Sequence, residues 1–280
     1  MENQELNEIA SQVRRDIVRM VSAVSSGHPG GSLGCADFLT LLYFEVMNHD
    51  ASNFKMDAIN EDVFFLSNGH ISPVLYSVLA RSGHFPVPEL STFRKLSSRL
   101  QGHPATDKNI PGVRMASGSL GQGLSCGIGT AVVKKLNGDN SLVYTLHGDG
   151  ELQEGQIWEA AMYAAANGVD NLIATIDYNG RQIDGDLEDI LSLGNLSHKW
   201  QAFGWEVLEM DGHDMDAMRR TIAQAHAFVG KGKPIVIIMT TEMGQGVDYM
   251  MGTHKWHGSA PNEEQLASAL GQLEETLGDY

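Results

Sequence analysis

Cysteine is scarce in this 280-residue sequence, which contains only Cys35 and Cys126. Neither cysteine has a Cys or His partner at the spacing of a metal site, so a cysteine-ligated metal centre is excluded. Both lie in apolar stretches of helical character. We therefore expect two buried thiols in a reducing compartment.

Basic residues are also scarce. Lys and Arg total 19 against 35 Asp and Glu, which gives a formal net charge of −16. Such an acidic chain is poorly suited to bind nucleic acid or an anionic membrane non-specifically. It therefore has to place local hydrogen-bond donors or a cation wherever it binds a phosphate group.

Long hydrophobic runs are absent, since no stretch reaches the ~18 apolar residues that suit a membrane span. The acidic first residues lack the pattern of a signal peptide, so the cytoplasm is the expected location. We find no internal repeat, low-complexity linker or strong domain boundary. With 42% hydrophobic residues, the sequence is expected to form a single domain over residues 1–280.

Segments of strand and helix character alternate along the chain, which predicts an α/β fold: a doubly wound parallel sheet with helices on both faces. The predicted strands cover 63–66, 142–146, 172–176, 205–210 and 235–239. The predicted helices cover 6–24, 36–47, 73–81, 88–96, 156–166, 189–203, 215–228 and 262–277.

Two polar residues follow neighbouring predicted strands. Asp149 lies in a Gly-Asp-Gly string after the run 142–146, and Asn179 follows the run 172–176. Because parallel strands joined by a helix end on the same edge of a sheet, the two side chains are expected to converge. Their oxygens suit Mg²⁺, and Gly150 leaves its N–H open to a phosphate. Either string alone is typical of an ordinary turn, but the pair predicts a cation and phosphate site.

This pair of strings resembles the thiamine diphosphate (ThDP) motif, and its neighbours resemble the transketolase family. The similarity lies in Gly-Asp-Gly-x-x-Gln-Glu-Gly-x-x-x-Glu at 148–159 and in Asn-Gly-x-x-Ile-Asp-Gly at 179–185. The generic motif often closes with two asparagines, whereas Gly180 takes the second place here. A turn-tolerant residue is sufficient at that position.

The resemblance implies two cofactors, ThDP and a divalent cation, which is Mg²⁺ or else Ca²⁺ or Mn²⁺. It implies that the cation is held by Asp149, by the Asn179 side chain and by the carbonyl of Arg181. It further implies that ThDP contacts the following residues: His70, Gly118, Ser119, Leu120, Gly150, Glu151, Asn179, Ile183 and His254.

Histidines in glycine-rich loops carry the second part of the resemblance. Taken alone, a His in such a loop is typically a surface or helix-capping residue. Strings such as Ser-Gly-His-Pro-Gly and Gly-His-Pro, however, are similar to transketolase loops around the reacting cofactor. The resemblance places Glu154 at an interface between subunits, near a cofactor-activating Glu of the partner, and makes His257 a neighbour of the site. It implies catalytic roles for five residues: His28, His70, His103, His254 and Glu154.

The glycine-rich stretch 116–129 is only superficially similar to a dinucleotide-binding fingerprint, because no apolar strand leads into it. Glycines near every fourth position instead favour close packing of a helix. In transketolases a Gly-x-Leu-Gly-Gln-Gly string opens a helix whose first residues contact the cofactor. Residues 118–123 match that string.

The resemblance ends at residue 261, and the chain stops where a one-piece transketolase begins its second domain. In the family that domain holds the aminopyrimidine ring and carries most of the groups that bind the sugar phosphate. We therefore expect the N-terminal subunit of a split transketolase, paired with a separate C-terminal pyrimidine-binding subunit. The expected complex is a two-plus-two heterotetramer, with a second copy of each chain. The implied reaction transfers a two-carbon ketol unit from a ketose (phosphate) donor to an aldose acceptor.

Three alternatives stay open at this stage. The α subunit of a 2-oxo acid dehydrogenase also binds ThDP, but it lacks the Gly-His-Pro loops. A deoxyxylulose-phosphate synthase relative is normally one longer chain. A non-catalytic paralogue would not need Asp149, Asn179 and four loop histidines. The sequence does not identify the sugars.

Overall fold

Five parallel strands form the centre of the fold in the computed structural model, which describes all 280 residues. The strands of the chain are β1 (Val63–Leu66), β2 (Val143–Gly148), β3 (Leu172–Tyr178), β4 (Arg181–Gln182), β5 (Gly185–Asp186), β6 (Glu206–Asp211) and β7 (Ile235–Thr240). The main sheet has the order β1-β2-β3-β7-β6, and all its pairings are parallel. Strands β4 and β5 form a separate antiparallel hairpin.

Helices cover both faces of the sheet, which confirms the predicted fold class. The ten α-helices are α1 (Asn3–Ala23), α2 (Pro29–Gly34), α3 (Ala36–Leu41), α4 (Ser72–Arg81), α5 (Gly123–Leu136), α6 (Gly155–Ala166), α7 (Leu187–Leu191), α8 (Leu196–Ala202), α9 (Met215–Phe228) and α10 (Glu263–Gln272). Short 3-10 helices cover Ala51–Asn53, Gly69–Ile71, Val87–Thr92, Thr106–Lys108, Gly150–Gln153 and His254–Trp256. None of the helices combines the length and apolarity that a membrane span requires.

The sheet divides the apolar core into two clusters, because successive side chains of a strand point to opposite faces. In β1, Phe64 and Leu66 pack into the cluster that includes α1, α3 and α4. Val63 and Phe65 pack into the cluster that includes α5, α6 and α8. All four β1 residues are buried, as in a parallel strand covered on both faces.

Two predicted helices differ from the structure in the C-terminal half. The predicted helix 189–203 is two helices, α7 and α8, because Gly194 adopts φ +57° and Asn195 starts a new helix by accepting the His198 N–H at 2.9 Å. The predicted helix 262–277 stops at the end of α10. The Gln12 side chain accepts two backbone N–H groups of the following segment, which holds it against α1.

Three shorter stretches also differ from prediction. The predicted helix 88–96 forms only the 3-10 helix Val87–Thr92, and the predicted helix 36–47 continues after α3 as the π-helical turn Leu42–Val46. The stretch after Asn179 and Gly180, where no strand is predicted, forms the hairpin β4–β5. Of the two cysteines, Cys35 is buried but Cys126 is exposed. The prediction for Cys126 is wrong because its side of α5 faces away from the sheet.

Helix α5 approaches β2 through a glycine, which provides a stability test. A Cβ added at Gly127 would lie 2.6 Å from the Thr145 methyl group, whereas a Cβ at Gly129 meets nothing within 4 Å. We expect Gly127→Ala to lower the free energy of unfolding by ~1–3 kcal/mol through overpacking. Gly129→Ala is the matched control and should raise it by up to ~1 kcal/mol through helix propensity. Urea unfolding of both variants measures the difference, and shifts of the same sign would contradict the packing argument.

Candidate functional site

The carboxyl ends of β1, β2, β3 and β7 meet at one edge of the sheet, where a cavity of about 250 Å³ opens. Ligands of open α/β sheets typically bind at this edge. The turn after each strand supplies polar groups, and helix α2 closes one side. The residues that line the cavity include Asn68, His70, Asp149, Asn179, Ile183 and His257.

Asp149 lies directly after β2 and is buried. Its Oδ1 accepts a hydrogen bond from the Gly150 N–H at 2.7 Å, and its Oδ2 accepts one from the Gly180 N–H at 2.6 Å. The second bond joins the turn after β2 to the turn after β3, so the two strand ends converge as expected. Burial, and then the nearby Asp177 carboxylate, raise the pKa of Asp149 to about 7. A cation beside Asp149 would stabilise its charged form.

The amide of Asn179 is oriented by a buried neighbour that the sequence argument did not single out. Its Nδ2 donates to Asp177 Oδ2 at 3.0 Å, and its Oδ1 accepts from the Arg181 N–H at 3.0 Å. Asp177 also accepts a hydrogen bond from the Thr241 hydroxyl. Because Nδ2 is fixed on Asp177, the amide oxygen is fixed as well, and it keeps one lone pair for a further partner.

The residues around the cavity fit a hard cation beside a diphosphate. The chain has no cluster of three or more His, Cys, Asp or Glu side chains placed to hold a metal ion. A cation at Asp149 therefore relies on amide, carbonyl, phosphate and water oxygens, which is the ligand set that Mg²⁺ prefers. The buried Asn68 Oδ1 and Gln182 Oε1 have no hydrogen-bond partner in the protein. Such atoms indicate that a bound group or its water completes the site.

Three imidazole rings form a cluster beside this cavity. The ring centroids of His28 and His70 are 5.1 Å apart, those of His70 and His257 are 5.1 Å apart, and those of His28 and His257 are 5.7 Å apart. Burial, followed by the neighbouring His257, Arg94 and His103, lowers the pKa of His28 to about 4. Burial also lowers the pKa of His70 and that of His257. The cluster is therefore neutral at physiological pH.

Of the two histidines in the string 254–258, His257 joins the imidazole cluster, whereas His254 lies outside it. Thr253 accepts the Lys255 N–H and begins the 3-10 helix His254–Trp256, in which His254 is exposed. The chain then turns inward at His257. Gly258 follows beside the His28 ring, where an added Cβ would lie 3.4 Å from Nε2, in ordinary van der Waals contact.

Other predicted cofactor and substrate residues lie around the rim. His103 is exposed and packs beside Gly118, where an added Cβ would lie 3.1 Å from its ring. Ser119 is exposed, whereas Leu120 lines the cavity. Ile183, at the tip of the β4–β5 hairpin, also lines the cavity and is 60% exposed. The rim therefore presents an open apolar side chain next to the polar floor.

Two predicted glutamates occupy different environments. Glu151 is buried, and its carboxylate accepts the Gly121 N–H at 2.8 Å, the Gly148 N–H at 3.2 Å and the Ser67 hydroxyl. It thus ties the glycine-rich loop to the ends of β1 and β2. Glu154 is exposed at the N-cap of α6, at the edge of the cavity.

Sequence reasoning missed Asp177, although this residue left a signal. It is a charged residue inside the otherwise apolar strand β3, two positions before Asn179, and it is buried. A buried charge in such a strand indicates a polar partner.

Comparison with protein families gives a match over residues 6–275 to the family described as transketolase, thiamine diphosphate binding domain. The chain is similar to one subunit of the apulose-4-phosphate transketolase of Phocaeicola vulgatus, with 38% identity over 264 residues that cover 94% of this chain and 92% of the relative. It is also similar to 6-deoxy-6-sulfo-D-fructose transketolase subunit SqwG of a Clostridium species, with 37% identity over 96% of both chains.

Solved structures give the same result at the level of the fold. The transketolase of Campylobacter jejuni superposes with a TM-score of 0.89 and 35% identity, over 98% of this chain and 43% of that chain. The transketolase of Leishmania mexicana gives a TM-score of 0.89 and 30% identity, over 98% of this chain and 42% of that chain. The chain thus spans about two fifths of the length of these solved relatives, but nearly the whole length of the two separate subunits.

Proposed function

The chain belongs to the transketolase family as its thiamine diphosphate-binding domain, and from that premise we propose that it is the N-terminal subunit of a split transketolase. The reaction is the transfer of a two-carbon ketol unit from a ketose donor, with or without a phosphate, to an aldose acceptor. The chain forms one domain over residues 1–280 and works in the cytoplasm, where its two free thiols stay reduced.

The observation that carries this proposal is the meeting of two groups of residues at one cavity. The turns after β2 and β3 bring together Asp149 and Asn179, and the loops before α2 and after His254–Trp256 bring together His28 and His257. The first pair suits a diphosphate-bound cation. The second pair suits hydroxyl groups of a sugar. A non-catalytic paralogue would not need both.

In the proposed site, Asp149, the Asn179 side chain and the Arg181 carbonyl would hold Mg²⁺, and the backbone N–H of Gly150 would be a donor for the diphosphate. The exposed Ile183 would provide apolar contact for the thiazolium ring. When bound, ThDP supplies an electron sink for the carbanion that cleavage of the donor leaves. Because the protein has a net charge of −16, such a cation would offset the repulsion between the chain and a diphosphate.

The half-buried histidines take part as neutral rings. Because burial keeps His28, His70 and His257 uncharged, each ring offers one nitrogen as a donor and one as an acceptor. We assign His28 and His257 to the hydroxyl groups of the donor and to proton movement at its carbonyl oxygen. We assign His70 to the diphosphate side of the site and the exposed His103 to its entrance.

A partner chain completes the site in this proposal. Relatives that this chain matches over more than nine tenths of their length carry subunit names, whereas one-piece transketolases are more than twice as long. Glu154 is exposed at the edge of the cavity and lies where a partner would contact α6. The partner is a C-terminal pyrimidine-binding subunit, and two copies of each chain make the complex.

The test is to express this chain together with a separate pyrimidine-binding transketolase subunit from the same organism. We expect sedimentation to give the mass of two copies of each chain, and we expect ketol transfer with ThDP and Mg²⁺ only when both chains are present. Transfer by this chain alone would overturn the proposal of a split enzyme. Decarboxylation of pyruvate-like acids by the complex would retain the cofactor but overturn the reaction class, in favour of a 2-oxo acid dehydrogenase.

A further inference from the structure

Arg94 has a backbone conformation that arginine rarely adopts. Its φ is +53°, in the left-handed region that favours glycine. Its N–H donates to the Leu100 carbonyl at 2.8 Å, which closes a loop between the two residues. A conformation of this kind is unfavourable for arginine and persists only where the surroundings hold the residue in place.

The guanidinium of Arg94 contacts two loops that carry histidines of the site. Its Nη1 donates to Ser26 Oγ at 2.9 Å, two residues before His28. It also packs flat against Gly102, where an added Cβ would lie 2.4 Å from Arg94 Cζ, and His103 is the next residue. Arg94 is therefore a bridge between the loop of His28 and the loop of His103.

Arg94 has no carboxylate to neutralise it. Among the arginines of the chain, only Arg94 and Arg220 lack a carboxylate within 4.0 Å. Arg220 is exposed to water, whereas Arg94 is half-buried and its Nε is buried without a partner. In a chain with 35 acidic residues, an unpaired arginine at this place leaves a positive charge beside imidazole rings.

We propose that Arg94 is a positioning residue of the site, which joins the His28 loop to the His103 loop and presents an unneutralised positive charge to both rings. The contacts that form the bridge are observed in the structure. A role of Arg94 in catalysis rests on the proposed transketolase function. A guanidinium suits this role because its planar fork can stack on a glycine and donate sideways in one orientation.

The charge of Arg94 acts on both rings in the same direction. It lowers the pKa of His28, together with burial and with the His257 and His103 rings, and it lowers the pKa of His103, where burial is the larger cause. The groups that face His28 are His70, His257, His103 and Arg94, and none of these is an acid. Loss of the positive charge should therefore raise both pKa values.

The first experiment uses the full chain alone. We expect Arg94→Gln to raise the pH midpoints of the His28 and His103 resonances, followed by NMR of histidine-labelled protein, by ~0.5–1 pH unit. Arg220→Gln is the matched control, since it also removes an unpaired arginine, and it should move neither midpoint. Unchanged midpoints for both histidines in Arg94→Gln would overturn the electrostatic part of the proposal, whatever the function of the protein.

Two further variants separate charge from geometry and guard against a folding defect. Arg94→Lys keeps the charge but loses the fork, so the midpoints should stay within ~0.3 pH unit of the wild type. Gly102→Ala keeps Arg94 but pushes its guanidinium off the loop, so the His103 midpoint should rise. A Gly102→Ala chain with a wild-type His103 midpoint would show that the contact does not position the charge.

The two-chain complex then tests the catalytic meaning. We expect kcat/KM for ketol transfer to fall by ~10–100-fold in Arg94→Gln, and we expect the acid limb of its pH profile to move to higher pH. If Arg94→Gln shifts the two histidine midpoints but keeps wild-type activity, the catalytic role of Arg94 is overturned and only its electrostatic effect on the two rings remains. Absence of ketol transfer in the wild-type complex would instead count against the proposed function, and the NMR result would stand apart from it.

Discussion

Replacing Asp149 by Ala is expected to abolish Mg²⁺-dependent binding of ThDP and to lower its affinity by ~10²-fold or more. Loss of outer-shell partners already costs ~10–100-fold in metal affinity, so loss of a direct ligand costs at least as much. Asp149 is the only carboxylate in the proposed ligand set. Calorimetric titration of the two-chain complex with ThDP, with Mg²⁺ and with a chelator, measures the effect.

The control for this experiment is an acid that lies near the site in sequence but outside the cavity. Asp189 is exposed on α7, so Asp189→Ala should bind ThDP like the wild type. Affinity that stays unchanged in Asp149→Ala would refute the metal assignment. A loss of affinity that is the same with and without Mg²⁺ would show instead that Asp149 acts through the turn and not through the cation.

The same carboxylate makes the stability of the unliganded chain depend on pH. Its pKa is raised to about 7 in the folded chain, so between the ordinary value near 3.8 and 7 the folded state binds more protons than the unfolded state. The free energy of unfolding should therefore fall as pH rises, by up to ~3 kcal/mol between pH 5 and pH 8. Asp149→Asn should flatten this dependence, which urea unfolding at several pH values can measure. A chain that gains stability over this range would contradict the assignment.

The convergence of Asp149 and Asn179 was predictable from sequence because it follows from two local patterns and one general rule. Apolar runs marked β2 and β3, and a helix between them required parallel strands. Strands of that kind end at one edge, whatever the details of the packing. The structure shows the result in the 2.6 Å bond between Gly180 N–H and Asp149.

The residues that sequence reasoning missed depend on contacts between distant segments. Asp177 matters because Asn179 and Thr241 meet it in the folded chain. The bridge of Arg94 depends on its contact with Ser26, which lies 68 positions earlier in the chain. Neither set of contacts produces a periodic pattern or a fixed spacing in the sequence. The predicted end of the last helix was wrong for a related reason. The segment after α10 donates backbone N–H groups to Gln12 of α1, a contact that the sequence does not reveal.

The two histidines His254 and His257 show the limit of assigning a site residue from a motif. Both histidines lie in one glycine-flanked string, and the string alone does not say which ring turns inward. A 3-10 turn of three residues carries His254 outward and brings the next histidine against His28. The motif locates the string, and the packing of the rings favours His257 over His254 for a role in the site.

His257→Ala is therefore expected to lower kcat for ketol transfer by the two-chain complex by ~10²-fold or more, whereas His254→Ala should stay within ~3-fold of the wild type. The first value is the lower end of what a positioned acid–base group contributes. His257 packs against His28 and His70 at 5.7 and 5.1 Å between ring centroids, so its loss removes a proton-carrying group from the cluster. His254 is exposed on the 3-10 helix that precedes the cluster.

The two substitutions form a matched pair, because they remove the same side chain three positions apart. Each should leave the unfolding midpoint of the chain close to that of the wild type, since neither imidazole belongs to the apolar core. His257→Asn is a useful third variant, because it keeps a polar group in the cluster but cannot carry a proton near neutral pH. If His257 moves protons, His257→Asn should be as slow as His257→Ala. Recovery of activity in His257→Asn would reduce its role to hydrogen bonding, and a larger loss in His254→Ala than in His257→Ala would return the assignment to His254.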